Sequence, residues 1–134
     1  MNTIRILLVD DNSAFLEAAA RFLAADAGIE IVGLLSSGHE VIEQFQQLQP
    51  DVIILDIAMP NINGLEVARS IKAHPDAPRV IILTLHDNPE YRSASQAARA
   101  DGFVPKSEFG AQLIPMIHSL FAAQPGTNGF GKIH

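Results

Sequence analysis

Val52-Ile53-Ile54-Leu55-Asp56-Ile57-Ala58-Met59-Pro60-Asn61-Ile62-Asn63-Gly64-Leu65 is the stretch on which the reading of this chain turns. Val52 to Leu55 is an apolar run, mostly β-branched, and reads as a strand buried on both faces. Asp56 stands where that strand stops. Pro60, Asn61, Asn63 and Gly64 are turn formers, and the residues from Gly64 to Ile71 have helical spacing, with Leu65, Ala68 and Ile71 on one face. The unit is strand, carboxylate, loop, helix. In a parallel α/β sheet the carboxyl ends of the strands form the ligand-binding edge, so a charged residue there is a candidate for chemistry. A lone Asp after a strand is more often a loop or capping residue, and the flanking sequence has to decide.

On the amino-terminal side, Ile4 to Val9 reads as a strand that ends on Asp10-Asp11. Asn12-Ser13 caps a helix whose buried stripe is Leu16, Ala19, Ala20 and Leu23, with Gly28 closing it. Ile29 to Leu34 alternates as a more exposed strand, and the helix from His39 to Leu48 turns Val41, Ile42, Phe45 and Leu48 inward before Pro50 ends it. On the carboxyl-terminal side, Pro75 and Pro78 mark a loop. Val80 to Leu83 is a second doubly buried strand and ends on Thr84. Asn88-Pro89 opens a helix reaching about Ala100, and Phe103-Val104-Pro105 is a short strand followed by Lys106. The last helix runs from Glu108 to about Phe121, with Pro115 as a possible kink. The order is βα five times, which implies a parallel sheet with right-handed crossovers and helices on both faces.

A chain of 134 residues is long enough for one core and short for two. Residues 1–122 read as that domain, and residues 123–134, glycine-containing and without periodicity, as a flexible tail or linker. The hydrophobic fraction of 48% and charged fraction of 18% belong to a globular protein, and no apolar run reaches the roughly 18 residues of a membrane span. Without cysteine, and with a strand pattern where a secretory leader would lie, the expectation is a soluble cytoplasmic protein that does not engage the membrane. A net charge of −6 offers no basic surface to a phosphate backbone, so these residues by themselves are a poor DNA binder.

The strands thus end on Asp10-Asp11, Asp56, Thr84 and Lys106. In a flavodoxin-like, doubly wound five-stranded sheet of order 2-1-3-4-5, these groups meet at one edge. Clustered carboxylates raise one another's proton affinity, and a hard divalent cation relieves them. Mg²⁺ suits oxygen ligands, whereas the absence of cysteine and of histidine at these strand ends disfavours zinc. A carboxylate held beside Mg²⁺ can attack a phosphoryl group, with Asp56 as nucleophile, Lys106 as the ammonium and Thr84 as the hydroxyl that bind its oxygens.

Leu8-Val9-Asp10-Asp11-Asn12, Leu55-Asp56-Ile57-Ala58-Met59-Pro60 with Asn63-Gly64, Leu83-Thr84, and Asp101-Gly102-Phe103-Val104-Pro105-Lys106-Ser107, in that order, resemble the receiver domain of bacterial two-component response regulators, over Ile4 to about Phe121. Ala27 to Gly33, and Leu83 to Asp87 with Tyr91, resemble the NarL/FixJ-type subfamily. The resemblance implies that Asp56 accepts phosphate from a partner histidine kinase or phosphotransfer protein, and that Asp11, Asp56 and the Ala58 carbonyl ligate Mg²⁺ directly, with Asp10 acting mainly through water. It implies that Lys106 contacts the phosphoryl oxygens, and that Thr84 swings in while Phe103 turns inward as the switch. It further implies a phosphorylation-dependent homodimer, and control of transcription through a DNA-binding output domain that these residues do not include. A stand-alone receiver that signals by protein contact is the alternative.

Three departures from the family pattern matter. Phe103 lacks the hydroxyl a tyrosine would offer, Ser107 replaces the proline that often follows the lysine, and Leu85 is bulkier than the small residue common after Thr84, which would narrow access to the phosphoryl group. The Lys106–Ser107 bond is expected to be trans. His86 lies close enough in sequence to Thr84 to be a candidate influence on hydrolysis, and His39, His74, His118 and His134 read as surface or packing residues. A phosphohydrolase of the haloacid dehalogenase kind would need a second Asp where Ala58 stands, and an FMN carrier would not place Asp10-Asp11 against a phosphate.

Overall fold

In the computed structural model, which describes residues 3–58 and 63–122, five strands and five helices alternate. They are β1 (Ile4–Val9), α1 (Ser13–Ala24), β2 (Ile29–Leu35), α2 (Gly38–Leu48), β3 (Val52–Leu55), α3 (Gly64–Lys72), β4 (Arg79–Thr84), α4 (Pro89–Ala97), β5 (Gly102–Pro105) and α5 (Phe109–Phe121), with a 3-10 turn at Lys106–Glu108. Met59, Pro60 and Asn61 of the expected turn, and the tail from 123 to 134, lie outside the described residues.

All neighbouring strands are parallel, in the order β2-β1-β3-β4-β5. This is the flavodoxin-like, doubly wound arrangement expected from the alternation of elements. The pleat of the strands sends alternate side chains to opposite faces. Leu7, Val9, Ile53, Leu55, Val80 and Ile82 pack with Val41, Phe45, Val67, Ile71 and Phe103 on the side of α2, α3 and α4. Ile6, Leu8, Ile54, Ile81, Leu83 and Val104 pack with Leu16, Leu23, Leu113 and Ile117 on the side of α1 and α5. Burying each such aliphatic side chain contributes about 1.5–3 kcal/mol relative to leaving it exposed, which is why the apolar runs occupy the centre.

Four helices begin at the carboxyl edge on a polar cap. Asn12, Ser37, Asn63 and Asn88 each accept a backbone N–H from the first turn that follows. Helices α1, α2 and α4 therefore start within a few residues of a strand end, whereas eight residues, Asp56 first among them, separate β3 from α3.

Several local expectations change. Helix α1 ends at Ala24 instead of running to Gly28, whose N–H donates to Asp26 Oδ1 at 2.8 Å in the turn into β2. Ala20 is only half-buried, and Ile42 is exposed because no element covers that flank of α2. Gly64, Val67, Ala68 and Ile71 form the buried face of α3, with Leu65 at its margin. Helix α4 stops at Ala97, short of Ala100, because Arg99 takes a left-handed conformation with φ 69°. Helix α5 continues through Pro115, which is exposed. No peptide bond among the described residues is cis, so Lys106–Ser107 is trans as expected.

Candidate functional site

The register of the central strands sets the site. Val9 lies opposite Leu55, so Asp10 and Asp56, each one residue further on, end the two central strands side by side. Asp56 N–H donates to the Val9 carbonyl at 3.1 Å, which ties the acceptor strand end to its neighbour. Thr84 lies opposite Pro105, and Lys106 follows from the edge strand.

Lys106 closes the cluster. Its Nζ lies 2.7 Å from Asp10 Oδ2 and 3.2 Å from Asp56 Oδ2, and all three side chains are largely buried. Backbone donors hold the other oxygens: Asn12 N–H donates to Asp10 Oδ1 at 2.9 Å and Ala58 N–H to Asp56 Oδ1 at 3.0 Å. Asp11 is exposed, yet one of its oxygens falls with one each from Asp10 and Asp56 in a group no more than 4.8 Å apart. Oxygen donors alone, at that separation, fit a hard divalent cation.

Burial and charge act against each other here. Burial pushes the Asp10 carboxyl above its ordinary range and the Asp56 charge adds to the rise, which outweighs the Lys106 and Asn12 hydrogen bonds that favour the anion. For Lys106, burial alone would lower the ammonium, but the hydrogen bonds and charges of Asp10 and Asp56 together overcome it and hold it above its usual range. One ammonium thus serves two buried carboxylates. The cluster as a whole favours additional positive charge.

Thr84 is fully buried, and its Oγ1 accepts the His86 N–H at 3.3 Å. His86 itself stacks on Tyr91 of α4, with ring centroids 5.2 Å apart, so its imidazole is engaged with the helix. Phe103 is 1% exposed and lies under the Arg92 guanidinium, 4.6 Å from its centre. Arg92 also donates from Nε to Asp87 Oδ1 at 2.9 Å, linking the loop after Thr84 to the aromatic of β5. Leu85 is 77% exposed and stands out from the rim, so its bulk is offered to an approaching molecule and fills no part of the protein interior.

Two residues gain a part that sequence did not disclose. A Cβ on Gly64 would lie 2.4 Å from the Ile57 Cα and 2.8 Å from the Asp56 carbonyl, so α3 begins in direct backbone contact with the strand end that carries the central carboxylate. Asn63-Gly64 reads as a turn, and only the fold shows that the need is for close approach. Phe15, in the first turn of α1, places its ring 4.4 Å from Lys106 Nζ. Its proximity to Asp11 in sequence was the available signal.

Comparison with known proteins agrees with this fold. The family profile described as response regulator receiver domain matches residues 6–118. Response regulator GacA of Pseudomonas viridiflava is 34% identical over 122 residues, covering 90% of this chain and 56% of that protein. Transcriptional regulatory protein DegU of Brevibacillus brevis is 33% identical over 117 residues, covering 87% and 49%. The chain therefore spans about half the length of the curated relatives it matches. A two-component response regulator of the LuxR family from Aurantimonas sp. SI85-9A1 superposes with a TM-score of 0.85 at 28% identity, covering 92% of this chain and 88% of the other. No helix among the described residues is long and apolar enough to cross a membrane.

Proposed function

Because the chain belongs to the response regulator receiver domain family, we propose that Asp56 is its phosphoacceptor and that Asp10, Asp11, Asp56 and the Ala58 carbonyl form its Mg²⁺ site. The observation that carries the reading is the single ammonium of Lys106 shared between Asp10 and Asp56, with an Asp11 oxygen inside the same cluster. The donor set is oxygen only, and a cation there would relieve the mutual repulsion of the gathered Asp10, Asp11 and Asp56 oxygens. Bound there, Mg²⁺ would neutralise charge on the phosphoryl oxygens.

An Asp56 carboxylate oxygen attacks the phosphorus of a phosphohistidine on a partner kinase or phosphotransfer protein. The O–P bond forms as the P–N bond breaks, and the departing imidazole keeps the electron pair and takes a proton from water. Lys106, freed from part of its pairing with Asp56, follows the new negative charge onto the phosphoryl oxygens. Thr84 releases the His86 N–H that its Oγ1 accepts and donates its hydroxyl to a phosphoryl oxygen, and the loop to Asp87 moves with it. Arg92 transmits that shift to Phe103, so the surface of α4, β5 and α5 is the output face.

Ala58 stands where a phosphohydrolase would hold its acid and base, so the phosphorylated state persists as a signal and decays by attack of water. The domain is a switch that assists its own phosphotransfer and dephosphorylation. The acidic surface makes transcriptional control depend on a DNA-binding output region outside these residues, with residues 123–134 as the connection and with phosphorylation-dependent pairing of two copies.

Intact mass after incubation with acetyl phosphate or phosphoramidate tests this. The wild type should gain one phosphoryl mass with Mg²⁺, and Asp56→Asn should gain none. Labelling that survives in Asp56→Asn, or that ignores removal of the metal, would overturn the assignment.

A further inference from the structure

Among the described residues Lys106 carries the positive charge of the site, on a flexible four-carbon stem, and ordering such a side chain costs rotamer entropy. Its two carboxylate partners cannot be its only guides. Asp56 changes charge and shape when it is phosphorylated, and Asp10 is shared with the proposed cation. An anchor that is neither anionic nor a ligand would keep the ammonium in place through the reaction.

Phe15 has those properties. The ring centroid lies 4.4 Å from Lys106 Nζ, well inside the range at which an aromatic face attracts an ammonium. The ring is itself fixed. Phe109, three residues after Lys106, meets it edge-on with centroids 5.5 Å apart and planes at 61°. Phe22 of the same helix backs Phe109 at 4.9 Å. The Asn12 cap fixes the first turn from below, because its Oδ1 accepts the Phe15 N–H at 3.0 Å. Asp10 Oδ1 in turn accepts the Asn12 N–H, so the turn that carries Phe15 is tied to the carboxylate that Lys106 binds.

We propose that Phe15 is a positioning residue for phosphoryl transfer. Its ring face holds the Lys106 ammonium over the phosphoacceptor, where Lys106 must be when negative charge develops on the transferred group. The ring donates no hydrogen bond and binds no metal. Its removal should therefore slow the transfer and leave the affinity for Mg²⁺ as it was. The proposal rests on Asp56 being the phosphoacceptor.

Phe15→Leu keeps an apolar side chain in the first turn and removes the ring, Phe15→Met is a second ringless variant, and Phe15→Tyr restores the ring. Labelling of Asp56 by phosphoramidate at saturating Mg²⁺ should slow about threefold to thirtyfold in the ringless variants, the range spanned by a cation–π contact between exposed and desolvated settings. It should return to near the wild-type rate in Phe15→Tyr. NMR of the folded proteins gives a second readout: the Lys106 Hε protons, over the ring face, should be shifted upfield in the wild type and Phe15→Tyr and lose that shift in Phe15→Leu. A packing role without contact to Lys106 would slow labelling while the Lys106 Hε shift stays the same with and without the ring. Wild-type rates in both ringless variants, or a Lys106 signal indifferent to the ring, would overturn the role of Phe15 and leave the phosphoacceptor in place. Absence of any Asp56 labelling in the wild type would overturn the phosphoacceptor reading itself.

Discussion

Asp26 shows how a single exposed contact ties two distant segments at the scale of one residue. Its Oδ2 lies 3.1 Å from His118 Nε2, and its Oδ1 accepts the Gly28 N–H, so the turn into β2 is pinned to the last helix. The His118 hydrogen bond, with help from Gly28, holds the Asp26 carboxyl below its ordinary value of 3.8. A carboxyl whose folded value is depressed contributes stability that is fully present above the unfolded value and is lost as pH falls through the folded one. Stability from this group should therefore be constant at neutral pH and decline only on the acid side of 3.8. In Asp26→Asn that part of the acid limb should vanish, which urea midpoints taken at a series of pH values would show as a shallower slope; an unchanged slope would mean that the pair contributes nothing. Lys106 and Asp10 behave differently because both are buried. Each is displaced upward, the lysine by its partners in spite of burial and the aspartate by burial in spite of its partner.

Elements in this fold communicate through their ends, and Gly64 is where α3 meets β3. The missing side chain lets the helix start against the Ile57 Cα and the Asp56 carbonyl. Gly64 needs no left-handed backbone, so the demand is for space and not for conformational freedom. Gly64→Ala should cost about 1–3 kcal/mol, the usual range for overpacking where the obstacle cannot move aside, since backbone atoms form the obstacle. It should also displace the Asp56 carboxylate. Denaturant unfolding reads the first effect and the labelling rate of Asp56 the second. An Ala variant as stable and as readily labelled as the wild type would show that the loop absorbs the methyl group. The strands were legible because runs such as Val52 to Leu55 and Val80 to Leu83 leave few alternatives, and the helices because Asn12-Ser13 and Asn63-Gly64 precede apolar periodicity and Pro89 marks the first turn of α4. The outward turn of Ile42 was not legible, since periodicity assigns a face to a helix without saying what covers its flank. Nor was the extra residue of β2 opposite β1, where pairing shifts between Ile31 and Gly33, because register belongs to two strands at once.

Across the whole molecule, four separate strand-to-loop junctions converge on a small region, and the sheet brings Asp10, Asp56, Thr84 and Lys106 to one edge in the order the strands dictate. The types and approximate places of these residues could be read in sequence, because polar groups after buried strands stand out. The Phe15 ring beside Lys106 and the Arg92 guanidinium over Phe103 could not, since each joins side chains from different elements. Concentrated acidity at that edge also makes a statement about global stability. The folded chain gathers carboxylates that the unfolded chain keeps apart, and a cation that binds only the gathered set stabilises the fold by mass action. At a Mg²⁺ concentration about a hundred times its dissociation constant the gain should be about 2.7 kcal/mol. For a domain of this size that corresponds to a rise in Tm of roughly 5–15 °C by the usual scaling. The gain should grow with the logarithm of Mg²⁺ concentration above the dissociation constant, and sodium at matched ionic strength should not reproduce it, because screening acts weakly on a cluster this buried. Asp11→Ala should lose most of the gain with little change in metal-free stability, since Asp11 is exposed and its removal leaves the Lys106 pairing intact. Asp10→Asn should behave oppositely in the metal-free state: neutralising a buried carboxylate whose charge burial disfavours relieves repulsion with Asp56 but forfeits the 2.7 Å ion pair to Lys106, so its metal-free stability should change while Asp11→Ala leaves it alone. Thermal unfolding of the three proteins over a Mg²⁺ series separates these cases, and a Tm indifferent to Mg²⁺ in the wild type would remove the metal from the account of this edge.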